Sequence, residues 1–324
     1  MLKVVKAQGQ GLVSDAGRWG YQHEGVPVGG VLDHFSFTVG NWALGNERNY
    51  ACLELMGQFD FVCAKTCRVM FANRGAKALL NNKSVLCGQV LNLQEGDVLR
   101  TQPPGQGFWN MLCLQGGVDV PVVMGSRSTC LAAGFGGLQG RALQVGDEIH
   151  AGQAFTAAMS ERLRLATPLA PVDPEGRLLV RCLPGPEFEL LTEDSQRVFF
   201  TQTHRLGNQS SRMGYRLEGE QAPLEMKKAL TLRSHAVHPG VIQLPPSGQP
   251  VVLLSECQVT GGYLRIAAVL GCELWKFAHL GSGQGVHWVV VDAAQAERLQ
   301  LQHDKELRRY HHVIESSDHQ SHVD

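Results

Sequence analysis

The chain has 324 residues, room for two domains of ordinary size or one large β-rich domain. Its 29 Lys plus Arg against 30 Asp plus Glu leave a net charge of -1, so there is no whole-chain attraction to nucleic acid or to an anionic membrane. At 44% hydrophobic and 18% charged the composition is that of a folded globular protein, and 37 glycines beside only 7% aromatic residues point to short strands joined by many turns.

Met1 to Gly9 is too polar and too broken by glycine for a secretory leader. A short amphipathic helix is expected over Phe35 to Leu44 after Asp33, and strands over Phe59–Val62 and Arg68–Phe71. Val90–Leu93 and Val98–Arg100 flank Gly96-Asp97, and the same phrase returns in Leu143–Ile149 around Gly146-Asp147; both read as hairpins. Pro168, Pro171, Pro174 and Gly176 mark a linker, which gives a β-rich domain over 1–165 and a second domain over 166–324.

Further strands are expected at Gly240–Leu244, Val251–Leu254 and Val286–Val291. The longest apolar run, Ile266 to Phe277, is interrupted by Glu273 and Lys276, so no membrane span and a cytoplasmic location are expected. A helix begins after Asp292, a good N-cap, and keeps Ala296, Leu299, Leu307 and Tyr310 near one face. Beyond Tyr310 a frayed polar tail is expected. Five of the 13 histidines lie in this last stretch (303, 311, 312, 319 and 322), as a solvated tail and not as a metal site.

Nine cysteines without a CxxC pair read as reduced core thiols, Cys63 and Cys67 being the nearest together. The sequence holds no GxxxxGK[ST] loop, no GxGxxG between strand and helix, and no GxSxG or HExxH. Met226-Lys227 lacks the flanks of a biotinylation site, so no covalent biotin is expected. Three polar, glycine-rich stretches remain: Asp15 to Tyr21 with Asp33 beyond it, Gln209 to Gly219, and Gln258 to Tyr263. Glycines beside Arg, Gln, Thr and Tyr let backbone N–H groups and side-chain donors converge on one small polar ligand. Arg212 and Arg216, four apart on a strand, would share a face and reach one carboxylate or phosphate. The plainer alternative is a bulge at Gly261-Gly262-Tyr263 and two surface arginines.

Asp15-x-Gly-Arg18, Gly25-Val-Pro, Leu32-Asp33, Asn41-x-x-Leu-Gly-Asn46, Gly116-Gly117-Val118-Asp119, Ser211-Arg212-Met213-Gly214-Tyr215-Arg216-Leu217-x-Gly219, Gly248-Gln249-Pro250 and Thr260-Gly261-Gly262-Tyr263 occur in order from one end of the chain to the other. In these motifs the chain resembles the family of 5-oxoprolinase C-type subunits, also described as the biotin-dependent carboxyltransferase or allophanate hydrolase subunit 2 family. The resemblance implies a mainly β fold of cyclophilin-like β-barrel domains, the second barrel lying in 166–324 and followed by a C-terminal helix and polar tail. It also implies partner chains of B-type and A-type. Together these would open the lactam of 5-oxoproline to glutamate, with ATP used by the complex.

On this basis Gln258, Thr260, Gly261, Gly262 and Tyr263 are expected to act at the substrate amide, Gly261 and Gly262 through backbone donors to an oxyanion. Arg212, Tyr215, Arg216, Asp15, Arg18 and Asp33 are expected to bind substrate, with Asp15, Arg18 and Asp33 alternatively fixing turns. The chain departs from the usual pattern at Ser14, Trp109, Ser211, Glu256, Val259 and Leu264, each altering a polar group near the expected site. A carboxyltransferase component using carboxybiotin on a urea-like amide and a non-catalytic regulatory protein are the alternative functions.

Overall fold

The computed structural model describes residues 1–105, 107–155, 164–228, 230 and 232–320. The chain forms two compact units, one of Met1–Arg18, Gly29–Leu169 and Asp304–Asp324, the other of Trp19–Val28 and Ala170–His303.

The first unit is built on β1 (Leu2–Ser14), β2 (Cys52–Cys63), β3 (Cys67–Phe71), β4 (Lys77–Leu80), β5 (Lys83–Val85), β6 (Val90–Leu93), β7 (Val98–Gln102), β8 (Trp109–Leu114) and β9 (Glu148–Ile149). They make one nine-stranded sheet in the order β5-β4-β7-β2-β8-β3-β6, with β1 on β2 and β9 on β1. β1 and β2 pair antiparallel from Leu2↔Cys63 to Ser14↔Cys52. Midway, Gly9 faces Gly57 at φ +141° and +101°, where a Cβ would fall 1.9 Å from the Met56 carbonyl oxygen or 2.2 Å from that of Gln8. Only glycine fits either place. Alternation along these strands buries Leu2, Val4, Leu53, Leu55, Phe59 and Phe61 in one core. The helix α1 (His34–Ala43) follows its expected cap: the Asp33 carboxylate accepts from the Ser36 N–H at 2.9 Å.

The second unit contains β10 (Leu178–Pro184), α2 (Glu193–Thr201), β11 (His204–Leu206), β12 (Gly214–Gly219), β13 (His235–Ala236), β14 (Val241–Leu244), β15 (Val251–Leu253), β16 (Thr260–Gly261), β17 (Leu264–Val269) and β18 (Gly285–Val290). Seven of these strands close a barrel in the order β10-β17-β14-β15-β12-β11-β18, and β13 and β16 form a separate ribbon. The closing pair, β10 with β18, is parallel. Trp288 stacks on Phe199 at 5.6 Å and lies 6.4 Å from Phe277, which meets Tyr215 edge-on at 6.2 Å. The mainly β barrel fold and the C-terminal helix are therefore as expected.

Three local expectations are corrected. Val90–Leu93 and Val98–Arg100 do not pair as a hairpin: β6 pairs with β3, while β7 lies between β2 and β4. Leu143–Ile149 is not a hairpin of two strands: Leu143 bonds singly to the Gly11 carbonyl, and only β9 pairs, with Leu2 and Lys3 of β1. The final helix, α3 (Ala293–Gln320), begins after Asp292, whose carboxylate accepts from Gln295 N–H at 2.7 Å, but it does not fray at Tyr310. The Tyr310 hydroxyl donates to the Ala166 carbonyl at 2.6 Å, its ring meets Phe35 at 5.4 Å, and Ile314 is buried a turn later. These contacts carry the helix past its polar surface.

All nine thiols are free, and burial pushes those of Cys182 and Cys257 up to about 12, which leaves them protonated and inert. Among the described residues no helix is long and apolar enough to cross a membrane. The two charges that interrupt the apolar run at 266–277 are buried as an ion pair in a 3-10 helix, Gly271–His279. Glu273 also accepts from the Arg181 guanidinium at 2.8 Å, and the Lys276 ammonium donates to the Leu179 carbonyl at 2.9 Å.

Breaking that pair strands a buried charge, so Glu273→Ala is expected to destabilise the second unit by about 3–5 kcal/mol. The double variant Glu273→Leu/Lys276→Met should recover most of this in denaturant melts. A second prediction concerns His204, whose pKa burial lowers to about 4 and whose Nδ1 accepts from the Trp288 indole at 3.2 Å. The folded state keeps this ring neutral where the unfolded chain, titrating near ~6.5, protonates it. Its contribution to stability is therefore intact above pH ~6.5 and lost as pH falls towards about 4, by roughly 3 kcal/mol in all. Melting temperatures measured across that window should fall more shallowly in His204→Asn.

Candidate functional site

In the first unit, the expected binding residues Asp15, Arg18 and Asp33 are all buried and all bonded to the chain itself. Asp15 ends the run of β1 and accepts from Gly17 N–H at 2.9 Å, Ser126 Oγ at 2.7 Å, Ser128 Oγ at 2.6 Å and Arg127 N–H at 2.6 Å. The Arg18 guanidinium donates to the carbonyls of Val123 at 2.9 Å and Ser128 at 3.0 Å, and lies 4.8 Å above the Phe135 ring. Asp33 caps α1. All three make hydrogen bonds that fix turns or a helix start within the chain. Asn41 and Asn46, also motif residues, behave alike: Asn46 bonds Asn41, the Leu114 carbonyl and the Gly116 N–H.

In the second unit the expected geometry of the arginine pair does not form. β12 starts at Gly214, and Ser211 and Gly214 exchange hydrogen bonds at 3.1 Å, so Arg212 and Met213 sit at the tip of a tight turn. Arg212 is buried and held by Glu256 at 2.6 Å, with Ser255 Oγ at 3.4 Å. Arg216 lies exposed on the strand proper, its N–H donating to Ser210 Oγ at 3.0 Å, and Tyr215 points the opposite way into the aromatic core. The two arginines do not share a strand face. The alternation argument failed because the turn resets the strand between them.

The third glycine-rich stretch forms a polar rim. Thr260 and Gly261 are β16, paired with Ala236 and His235 of β13, and Gly262 and Tyr263 lead from the ribbon into β17. Thr260 and Tyr263 are exposed; Gln258 is half-buried and donates through Nε2 to Gln243 Oε1 on β14 at 3.2 Å. Beside it, Arg265 of β17 forks onto Glu187 through Nη2 at 2.6 Å and Nε at 2.9 Å, which holds the Glu187 carboxyl below its usual range. Hydroxyl, amide and backbone donors thus gather at Gln258 to Tyr263, on the ribbon beside the barrel. Gln243 and His235 were missed in the sequence. Gln243 is a single amide in the run Val241-Ile242-Gln243-Leu244, and that was its only signal.

Comparison with known proteins agrees with this architecture. The family described as carboxyltransferase domain, subdomain A and B, matches residues 24–290. The protein named as the C-type subunit of 5-oxoprolinase in Escherichia coli is 35% identical over 303 residues, covering 91% of this chain and 93% of its own. Its namesake in Haemophilus influenzae is 29% identical, covering 97% and 99%. The fold matches the crystal structure of the K. lactis urea amidolyase with a TM-score of 0.83 at 23% identity, over 95% of this chain and 20% of that one.

The geometry separates the two arginines in a melting experiment. Arg212→Ala is expected to cost about 3 kcal/mol or more by stranding Glu256, whereas Arg216→Ala should change stability by less than ~0.5 kcal/mol. Equal melting curves for the two variants would contradict this.

Proposed function

The chain belongs to the carboxyltransferase domain family, subdomains A and B, and from that premise we propose that it is the C-type component of an ATP-dependent 5-oxoprolinase-type amidohydrolase. The observation that carries the reading is the near full-length similarity to two proteins named as C-type subunits of 5-oxoprolinase. The reaction would open the lactam of 5-oxoproline to glutamate, with A-type and B-type chains as partners. The sequence has no phosphate-binding loop, so ATP is assigned to the complex and not to a motif of this chain.

The rim from Gln258 to Tyr263 suits this chemistry. A lactam carbonyl gains negative charge as it is attacked or phosphorylated, and donors fixed before the reaction stabilise that charge without reorganising. Gln258 is held by Gln243, Thr260 offers an exposed hydroxyl, Gly261 and Gly262 bring backbone close to the ligand, and Tyr263 forms an exposed wall. Arg216 is exposed and outside the Arg212–Glu256 pair, so of the two arginines its charge is the one open to a substrate carboxylate. A second reading, transfer of a carboxyl group from carboxybiotin on another protein to a urea-like amide, is favoured by the family's description and by the urea amidolyase likeness in fold.

Co-expression with A-type and B-type chains tests both. ATP-dependent glutamate release from 5-oxoproline is expected from the complex and should be abolished when this chain is omitted. Release at the full rate without this chain would refute the proposal, and carboxylation of urea dependent on carboxybiotin would establish the second reading instead.

A further inference from the structure

Buried polar groups in folded proteins are nearly always hydrogen-bonded, so an orphan donor and an orphan acceptor on one face call for an explanation. Gln243 is 1% exposed, and its Oε1 is occupied by the Gln258 amide, which sets its Nε2 as the free end. That Nε2 is buried and has no hydrogen-bond partner among the described residues. It points at Gly261: a Cβ there would lie 2.7 Å from it, so any side chain at 261 would fill the space in front of the amide.

The residue directly across the ribbon from Gly261 is His235. Residues opposed in an antiparallel pair carry their side chains on the same face, with Cβ atoms about 5 Å apart. His235 therefore leaves the ribbon on the face that Gln243 Nε2 touches. Its Nδ1 lies 3.1 Å from the Arg233 carbonyl, an acceptor only, so the proton sits on Nδ1 and Nε2 keeps its lone pair. Nε2 too is buried without a partner among the described residues.

We propose that Gln243 and His235 read the edge of a cis amide, Gln243 Nε2–H donating to the carbonyl oxygen and His235 Nε2 accepting from the amide N–H. A lactam or a urea presents these two groups side by side; an ester, a carboxylate or a tertiary amide does not. The assignment rests on the amide-substrate reading given above and adds to it the two residues that select the substrate class. Gly261 keeps the edge open, and Gln258 aims the Gln243 amide.

The test is titration of the full chain, alone and in the co-expressed complex, with 5-oxoproline, its N-methyl counterpart and urea, followed by calorimetry. Wild type is expected to bind 5-oxoproline at least about tenfold more tightly than the N-methyl compound, the loss of one buried hydrogen bond. Gln243→Met should weaken 5-oxoproline at least about tenfold, and His235→Phe should weaken it similarly while leaving the N-methyl compound as wild type binds it. Melting temperatures of both variants should match or exceed wild type, since each removes a group that is unsatisfied without ligand.

Unchanged affinity in both variants, or no binding of any probe in either form, would overturn the inference. If a variant melts well below wild type, the wild-type comparison decides, and equal affinity for 5-oxoproline and its N-methyl counterpart overturns it. Binding of urea with loss in both variants, and none of 5-oxoproline, would uphold the amide edge and sink the lactam reading alone.

Discussion

One buried carboxylate organises the first unit. Asp15 gathers two backbone N–H groups and two serine hydroxyls, tying the end of β1 to the segment Ser126–Ser128. Ser128 in turn receives the Asp15 N–H on its hydroxyl and the Arg18 guanidinium on its carbonyl. Charge-assisted bonds of this kind are the strong ones, and removing the acceptor would leave several buried donors unmet at once. The chain around Gly17 and Gly30 follows from that anchor: Val31 N–H bonds the Asp15 carbonyl, and Gly30 packs so closely on Asp15 and Gly17 that a Cβ would fall 2.7 Å from the Gly17 nitrogen.

The second unit divides its polar residues differently. Glu273 and Lys276, Arg265 and Glu187, and Arg212 and Glu256 satisfy one another where they lie, so these charges serve the barrel and its loops. The ribbon of β13 and β16 instead leaves polar atoms unmet beside a glycine. Self-contained pairs stabilise a fold, while unmet groups cost stability and persist where a ligand completes them.

Local features of the fold were legible in the sequence. Strand alternation located β3, β6, β14, β15 and β18, and Asp33 and Asp292 marked the starts of α1 and α3, because each signal is confined to a few neighbouring residues; α2, capped by Thr192, was not foreseen. Barrel closure was not legible from alternation, since Leu178 meets Val286 and nothing local encodes that pairing; the family resemblance supplied it. Ordered motifs located the polar residues but not their roles. Arg212 and Arg216 read as one strand because a tight turn leaves no mark in Arg-Met-Gly-Tyr-Arg that a strand would not. The exposed end of α3 looked frayed because its anchors, Tyr310 on Ala166 and Phe35, are far away in sequence.

The parallel closure of the barrel sets the order of events at the ribosome. β10 waits for β18 before the seven strands can close, and the first unit in turn takes in the stretch from Asp304. The barrel cannot close until β18 has been made, and the first unit is not complete until the stretch from Asp304 has followed. Contacts this distant in sequence also fold slowly, because the long intervening loop must close before the pairing rewards it. During synthesis, β10 to β17 form an open sheet whose edges and apolar face stay uncovered until β18 arrives, which favours aggregation over that interval.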